Sequence, residues 1–168
     1  MRADGHSFAE RALAAIIGGA MTSIPLPANW HELYRSVVMP AHCDLYGHMN
    51  VRQYAAFFDD AGWHLMSRAG VSLTDLRSRG LGSVVATLTI DFHHELTAGQ
   101  LILITGAFTR VGPKSASSEM RLYEADSMTH CATQKTVEVC FDTRARLSTP
   151  LPDGVRELLR RAAGAASG

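Results

Sequence analysis

The chain is poor in most of the features that mark a specialised protein. It has three cysteines in 168 residues, Cys43, Cys131 and Cys140. So odd and sparse a set makes no disulfide framework, and three free thiols suit a reducing, cytoplasmic compartment. There is no excess of either charge, since Lys plus Arg and Asp plus Glu both total 16. That removes the usual electrostatic reason to expect nucleic acid or an anionic membrane as a partner, and leaves any anionic ligand to a local basic cluster. No apolar run approaches the about 20 residues of a membrane span. The short run Leu13–Ile17 follows Glu10 and Arg11, whereas a secretory signal needs a longer apolar stretch without the acid. His42, Cys43, Asp44 and His48 fit no usual zinc spacing, so neither a metal nor another cofactor is expected.

What is present is a foldable single domain. Hydrophobic residues make up 46% of the chain, enough for one real core. Residues 1–30 read as an N-terminal extension, of which 1–20 are a leader, a misassigned start ahead of Met21, or a loosely docked helix. Residues 31–168 read as one domain. Tyr34–Met39 is β-branched and ends at Pro40, the mark of a strand. From Val51 to about Ala69 the residues Tyr54, Phe57, Phe58, Ala61, Gly62, Leu65, Met66 and Ala69 recur with helical period. Asn50 stands at the N-cap and Gly70 ends the helix.

Beyond Gly70 the period shortens to two. Ala86, Leu88, Ile90 and Phe92 alternate with polar residues, which predicts a half-buried strand. Leu101–Val111 is apolar on both faces and predicts a central strand. Ser115–Ala125 and Gln134–Asp142 predict two more, and Val155–Ala163 a short terminal helix. One strand, one apolar helix and about four strands suggest an α+β fold, with a curved antiparallel sheet wrapped around one long central helix.

The stretch with chemistry in it is Asp44-Leu45-Tyr46-Gly47-His48-Met49-Asn50. A helix start offers free N–H groups and the positive end of the dipole, suited to a developing oxyanion. The Val51 N–H is well placed to donate. Asp44, six residues before Asn50, can attack a carbonyl or act as general base on water, although an Asp here can also be only a turn residue. His48 and Asn50 can orient the water or the carboxylate. Each also has a plainer reading, His48 as a loop histidine bonded to backbone and Asn50 as an N-cap alone.

This order, with Asp-x-x-Gly-x-x-Asn before the helix, resembles the hotdog-fold acyl-CoA thioesterases of the 4-hydroxybenzoyl-CoA thioesterase-like branch. The resemblance rests on Asp44, Gly47, His48, Asn50, Tyr54 and Phe58. It extends to His94-Glu95-Leu96, to Arg110-Val111-Gly112-Pro113-Lys114-Ser115 and to Pro150-Leu151-Pro152, covering about residues 33–160. It implies hydrolysis of a small-to-medium acyl-CoA, the acid at Asp44, the oxyanion donor at Val51, and a homodimer with a shared sheet or a tetramer of such dimers. The acyl pocket is then expected from Tyr46, Gly47, Tyr54, Phe58 and Trp63, with Tyr54 and Phe58 more readily read as core because they lie on the apolar stripe. Arg110, Lys114 and Ser115 are the candidates for the CoA phosphates, or else an ordinary solvated turn. Two other readings stand beside it. A hotdog hydratase or dehydratase pairs an acid with a histidine, but the Asn-Pro of its motif is missing here. A non-catalytic acyl-CoA sensor would need no acid and would carry a basic DNA-binding segment, which is also missing.

Overall fold

The structure, a computed structural model, describes residues 26–164. The expectations for residues 1–25 lie outside the described residues. Among the described residues six strands and three helices follow in order. They are β1 (His31–Val37), α1 (Val51–Arg68), α2 (Leu73–Ser78), β2 (Leu81–Phe92), β3 (Leu101–Val111), β4 (Ser115–Glu124), β5 (His130–Asp142), β6 (Leu147–Ser148) and α3 (Asp153–Ala162), with one 3-10 turn at Pro40–His42. Strand order in the single antiparallel sheet is β1-β3-β4-β5-β2, and β6 pairs with the end of β5. Register shifts at Glu32/Tyr34, Val85/Thr87, Phe108/Arg110 and Leu122/Tyr123 interrupt the ladders, and such bulges bend a sheet.

Local chemistry explains the elements. In α1 the Asn50 side chain accepts from the Arg52 N–H at the N-terminus. Gly70, at φ +81°, takes the left-handed turn just past the C-terminus. The helix buries Tyr54, Phe57, Phe58, Ala61, Leu65 and Met66, which share one core with Ile102, Ile104, Phe108, Met120 and Leu122 of β3 and β4. The apolar β3 lies inside the sheet, between β1 and β4, with seven consecutive buried residues, Ile102–Phe108. Gly106 in its middle lets β4 approach: a Cβ there would stand 2.6 Å from Met120 Cγ.

Several features differ from the reading of the sequence: β1 runs His31–Val37 rather than Tyr34–Met39, β5 begins at His130 rather than Gln134, and β6 follows no pattern read above. The short α2, opened by Ser72, has no long periodic pattern to announce it. β2 alternates as expected but is exposed over most of its length, including Val84, Val85, Leu88 and Phe92. The reason is its position: β2 is the last strand of the sheet, so it has β5 on one side and, among the described residues, no strand on the other. Among the described residues no helix is long and apolar enough to cross a membrane.

Candidate active site

The loop from Cys43 to Asn50 is a small hairpin built on its own backbone. The Asp44 N–H donates to the His48 carbonyl at 3.0 Å, the Gly47 N–H donates to the Asp44 carbonyl at 3.0 Å, and Cys43 bridges Met49. Gly47 takes φ +84°, a conformation open to glycine and costly to other residues. The hairpin is tied down at both flanks. The Asn50 N–H donates to the His42 carbonyl at 2.9 Å, and the Met49 N–H to the Leu96 carbonyl at 2.7 Å. The His42 ring meets Phe57 edge-on at 5.3 Å, which seats the loop on α1.

In this hairpin Asp44 Oδ1 accepts from the Tyr46 N–H at 2.9 Å, an Asx turn. Its Oδ2 accepts from no group among the described residues. At the helix mouth Asn50 Oδ1 takes up the Arg52 N–H at 3.1 Å. The Val51 N–H donates to no group among the described residues, so one helix-start donor stays free.

Val51 lines a cleft of about 310 Å³. One wall is Met49, Val51 and Tyr54; the other is Phe92 to Glu95, the end of β2 and the start of its connection to β3. Tyr54 and Phe92 meet edge-on across it at 5.0 Å. Burial pushes the Tyr54 hydroxyl up to about 12, so it stays a neutral phenol. At the rim His48 Nε2 stands 3.2 Å from Glu95 Oε2.

Val51 and Tyr54 thus line the cleft, and His48 reaches its rim through Glu95. Asp44 and Asn50 lie in the adjoining loop and are not among the lining residues. Tyr46 is exposed on the loop tip, and Phe58 is fully buried one turn beyond Tyr54. Trp63 is exposed further along the helix, its Nε1 donating to Asp59 Oδ2 at 3.4 Å. Arg110, Lys114 and Ser115 are far away. Ser115 is level with Val84 through Val139, and Val84 lies eight residues up β2 from Phe92, about 26 Å at about 3.3 Å per residue. Within one chain this cluster and the cleft are separate.

Sequence reasoning missed Met49, Phe92 and Glu95 as lining residues. His94-Glu95-Leu96 stood out as a motif, but only tertiary structure puts it opposite the helix mouth. Behind His93 lies a further group: its ring is 4.5 Å from that of His130, and both rings bond the Thr133 hydroxyl, at 3.1 and 2.9 Å. Burial, and then the neighbouring His93, hold His130 below its ordinary value.

The family model of the thioesterase-like superfamily matches residues 38–159. No curated relative matches by sequence. Among solved structures, a 1,4-dihydroxy-2-naphthoyl-CoA thioesterase from Synechocystis aligns with TM-score 0.67 and 22% identity, over 78% of this chain and 93% of that one. A hypothetical protein from Staphylococcus aureus in complex with CoA aligns with TM-score 0.73 and 15% identity, over 82% and 87%. A DHNA-CoA thioesterase from the same organism aligns with TM-score 0.65 and 16% identity, over 73% and 79%. At these identities the likeness is one of fold.

Proposed function

The chain belongs to the thioesterase-like superfamily, and on that premise we propose that it is an acyl-CoA thioesterase, releasing a free acid and CoA. The observation that carries this reading is the Val51 N–H, without a partner among the described residues, at the start of an 18-residue helix whose first residue lines a cleft. A thioester carbonyl oxygen set there accepts from that N–H, and its charge in the tetrahedral intermediate is stabilised by the helix end. Asn50 is a positioning residue: by holding the Arg52 N–H it leaves Val51 as the free donor.

Asp44 supplies the base or the nucleophile. As base, its Oδ2 takes a proton from water while the water oxygen bonds the carbonyl carbon. Collapse of the intermediate breaks the C–S bond, and the CoA thiolate leaves and is protonated. As nucleophile, Oδ2 itself bonds the carbonyl carbon, CoA leaves, and water hydrolyses the mixed anhydride. Gly47 gives the loop its turn, His48 holds Glu95 at the rim, and Tyr46, Tyr54, Phe58 and Trp63 flank the acyl path. α1 serves as the central helix of a hotdog arrangement. Three free thiols suit a cytoplasmic setting.

The exposed β2 edge supports a homodimer that continues the sheet, alone or paired again into a tetramer. Two β2 strands joined antiparallel about a two-fold axis beside Leu88 set Val84 of one copy level with Phe92 of the other. The basic turn Arg110, Lys114 and Ser115 of one copy then comes to the cleft of the other, where it meets the CoA phosphates. This answers the separation of the two groups within one chain.

The test is thiol release from a panel of aliphatic and aromatic acyl-CoAs, run on wild type, Asp44→Asn and Glu95→Gln. Release by wild type that falls by about two orders of magnitude or more in Asp44→Asn supports the reading. Full activity in Asp44→Asn with loss in Glu95→Gln moves the acid to the cleft wall. Binding of CoA esters without turnover in wild type refutes the enzyme.

A further inference from the structure

A second, smaller cavity lies between α1 and the β2 edge. It is lined by Phe58, Asp59 and Gly62 of the helix, Leu88 of β2, and Gln134 and Glu138 of β5. Phe58 lies seven residues past Val51, about 10 Å at about 1.5 Å per residue. The cavity measures about 30 Å³, room for one terminal group somewhat larger than a water.

Three independent observations single it out. Gln134 is 3% exposed; its Nε2 donates to Thr136 Oγ1 at 3.0 Å, but its Oε1 has no partner among the described residues. A buried carbonyl with no donor is costly, and folded chains rarely keep one without a use. Gly62 stands inside α1, where alanine is the better helix former, and a Cβ added there meets nothing within 4 Å. Packing therefore does not require a glycine, and the space it leaves opens on this cavity. Lastly, the charged lining residues are acids, Asp59 and Glu138, with no cation among the residues that form the cavity. Both accept from neutral donors, Asp59 from Trp63 Nε1 and Glu138 from Ser83 Oγ.

We propose that Gln134 reads the far end of the acyl group. The site takes acyl-CoAs whose acyl chain ends in a hydrogen-bond donor, a hydroxyl or an amine, which donates to Gln134 Oε1. It turns away chains ending in methyl, which leave the carbonyl unmet, and chains ending in carboxylate, which meet two acids. The inference rests on the thioesterase reading above and names the substrate class of that site.

The experiment compares kcat/KM of wild type on straight-chain acyl-CoAs of matched length ending in methyl, hydroxyl, amine or carboxylate. The expected result is that at least one donor-ended substrate exceeds the methyl-ended one by about tenfold or more, with carboxylate lowest. Amine above hydroxyl assigns a share to Asp59 and Glu138; hydroxyl above amine assigns the reading to Gln134 alone; either supports the proposal. Gln134→Met, similar in length but without the acceptor, is expected to erase the preference. Gly62→Ala is expected to melt no lower than wild type while losing turnover of the donor-ended substrate. Equal rates for methyl and donor ends in wild type overturn the proposal, as does a preference that survives in folded Gln134→Met. If no thioester is cleaved, the thioesterase reading fails separately. Calorimetric titration with S-alkyl-CoA thioethers bearing the same ends then decides Gln134: about tenfold tighter binding of a donor end supports it, and equal binding overturns it.

Discussion

Asp44 carries two duties on two oxygens. Oδ1 holds the hairpin through the Tyr46 N–H, and Oδ2 is the atom left for chemistry. Asparagine keeps the first duty and loses the second, so Asp44→Asn is expected to melt with wild type. Asp44→Ala loses both, and should also cost about 1 kcal/mol of stability, read by thermal melts. His130 gives a second prediction at this scale. Its ring is crowded by His93 at 4.5 Å and Tyr123 at 5.1 Å, and its folded value lies below the 6.5 of the unfolded chain. The unfolded state therefore takes the proton first. Stability is full above about pH 6.5 and falls as the pH drops from there to the lower folded value. Melting temperature measured from pH 7 to 5 should fall, and His130→Gln should flatten that fall.

Among the elements, β3 shows how one residue sets the approach of two strands. Alanine at Gly106 would bring its Cβ to 2.6 Å from Met120 Cγ and 2.8 Å from the Glu119 carbonyl, and the second contact is backbone. Gly106→Ala is expected to lose about 1–3 kcal/mol in chemical denaturation, because the strand rather than a rotamer must move. The same scale shows the limit of pattern reading. The two-residue period over Ala86 to Phe92 predicted a strand, and the strand is there. Period reports which residues share a face; it does not report whether anything covers that face.

For the whole molecule, the exposed β2 edge is the deciding surface. Val84, Val85, Leu88 and Phe92 are exposed on the last strand of the sheet, an arrangement that invites pairing with another chain. A lysine in the middle of that edge repels its own copy across a two-fold axis. On the proposed dimer, Leu88→Lys is therefore expected to give monomers in light scattering, and to lower thioesterase activity with them. A wild type that is monomeric and fully active would end the dimer reading and the shared CoA site with it.

By itself the sequence determined the elements and the chemical stretch. Helical period and the Asn50 cap located α1 within a residue at its end, and the Asp44–Asn50 spacing put an acid beside a helix start. These are local properties, set by backbone sterics and side chains within a few residues of one another. Tertiary structure alone decided what stands opposite. Phe92 to Glu95 became a cleft wall because β2 pairs with β5 across some forty residues of chain. The basic turn at Lys114 was sent to the far end of the sheet by the register of β4 on β5. Gln134 reads in sequence as a polar residue of an ordinary strand. Only packing beneath α1 buries its amide and leaves the carbonyl without a donor, because whether a polar group is satisfied depends on neighbours that the chain brings near from a distance.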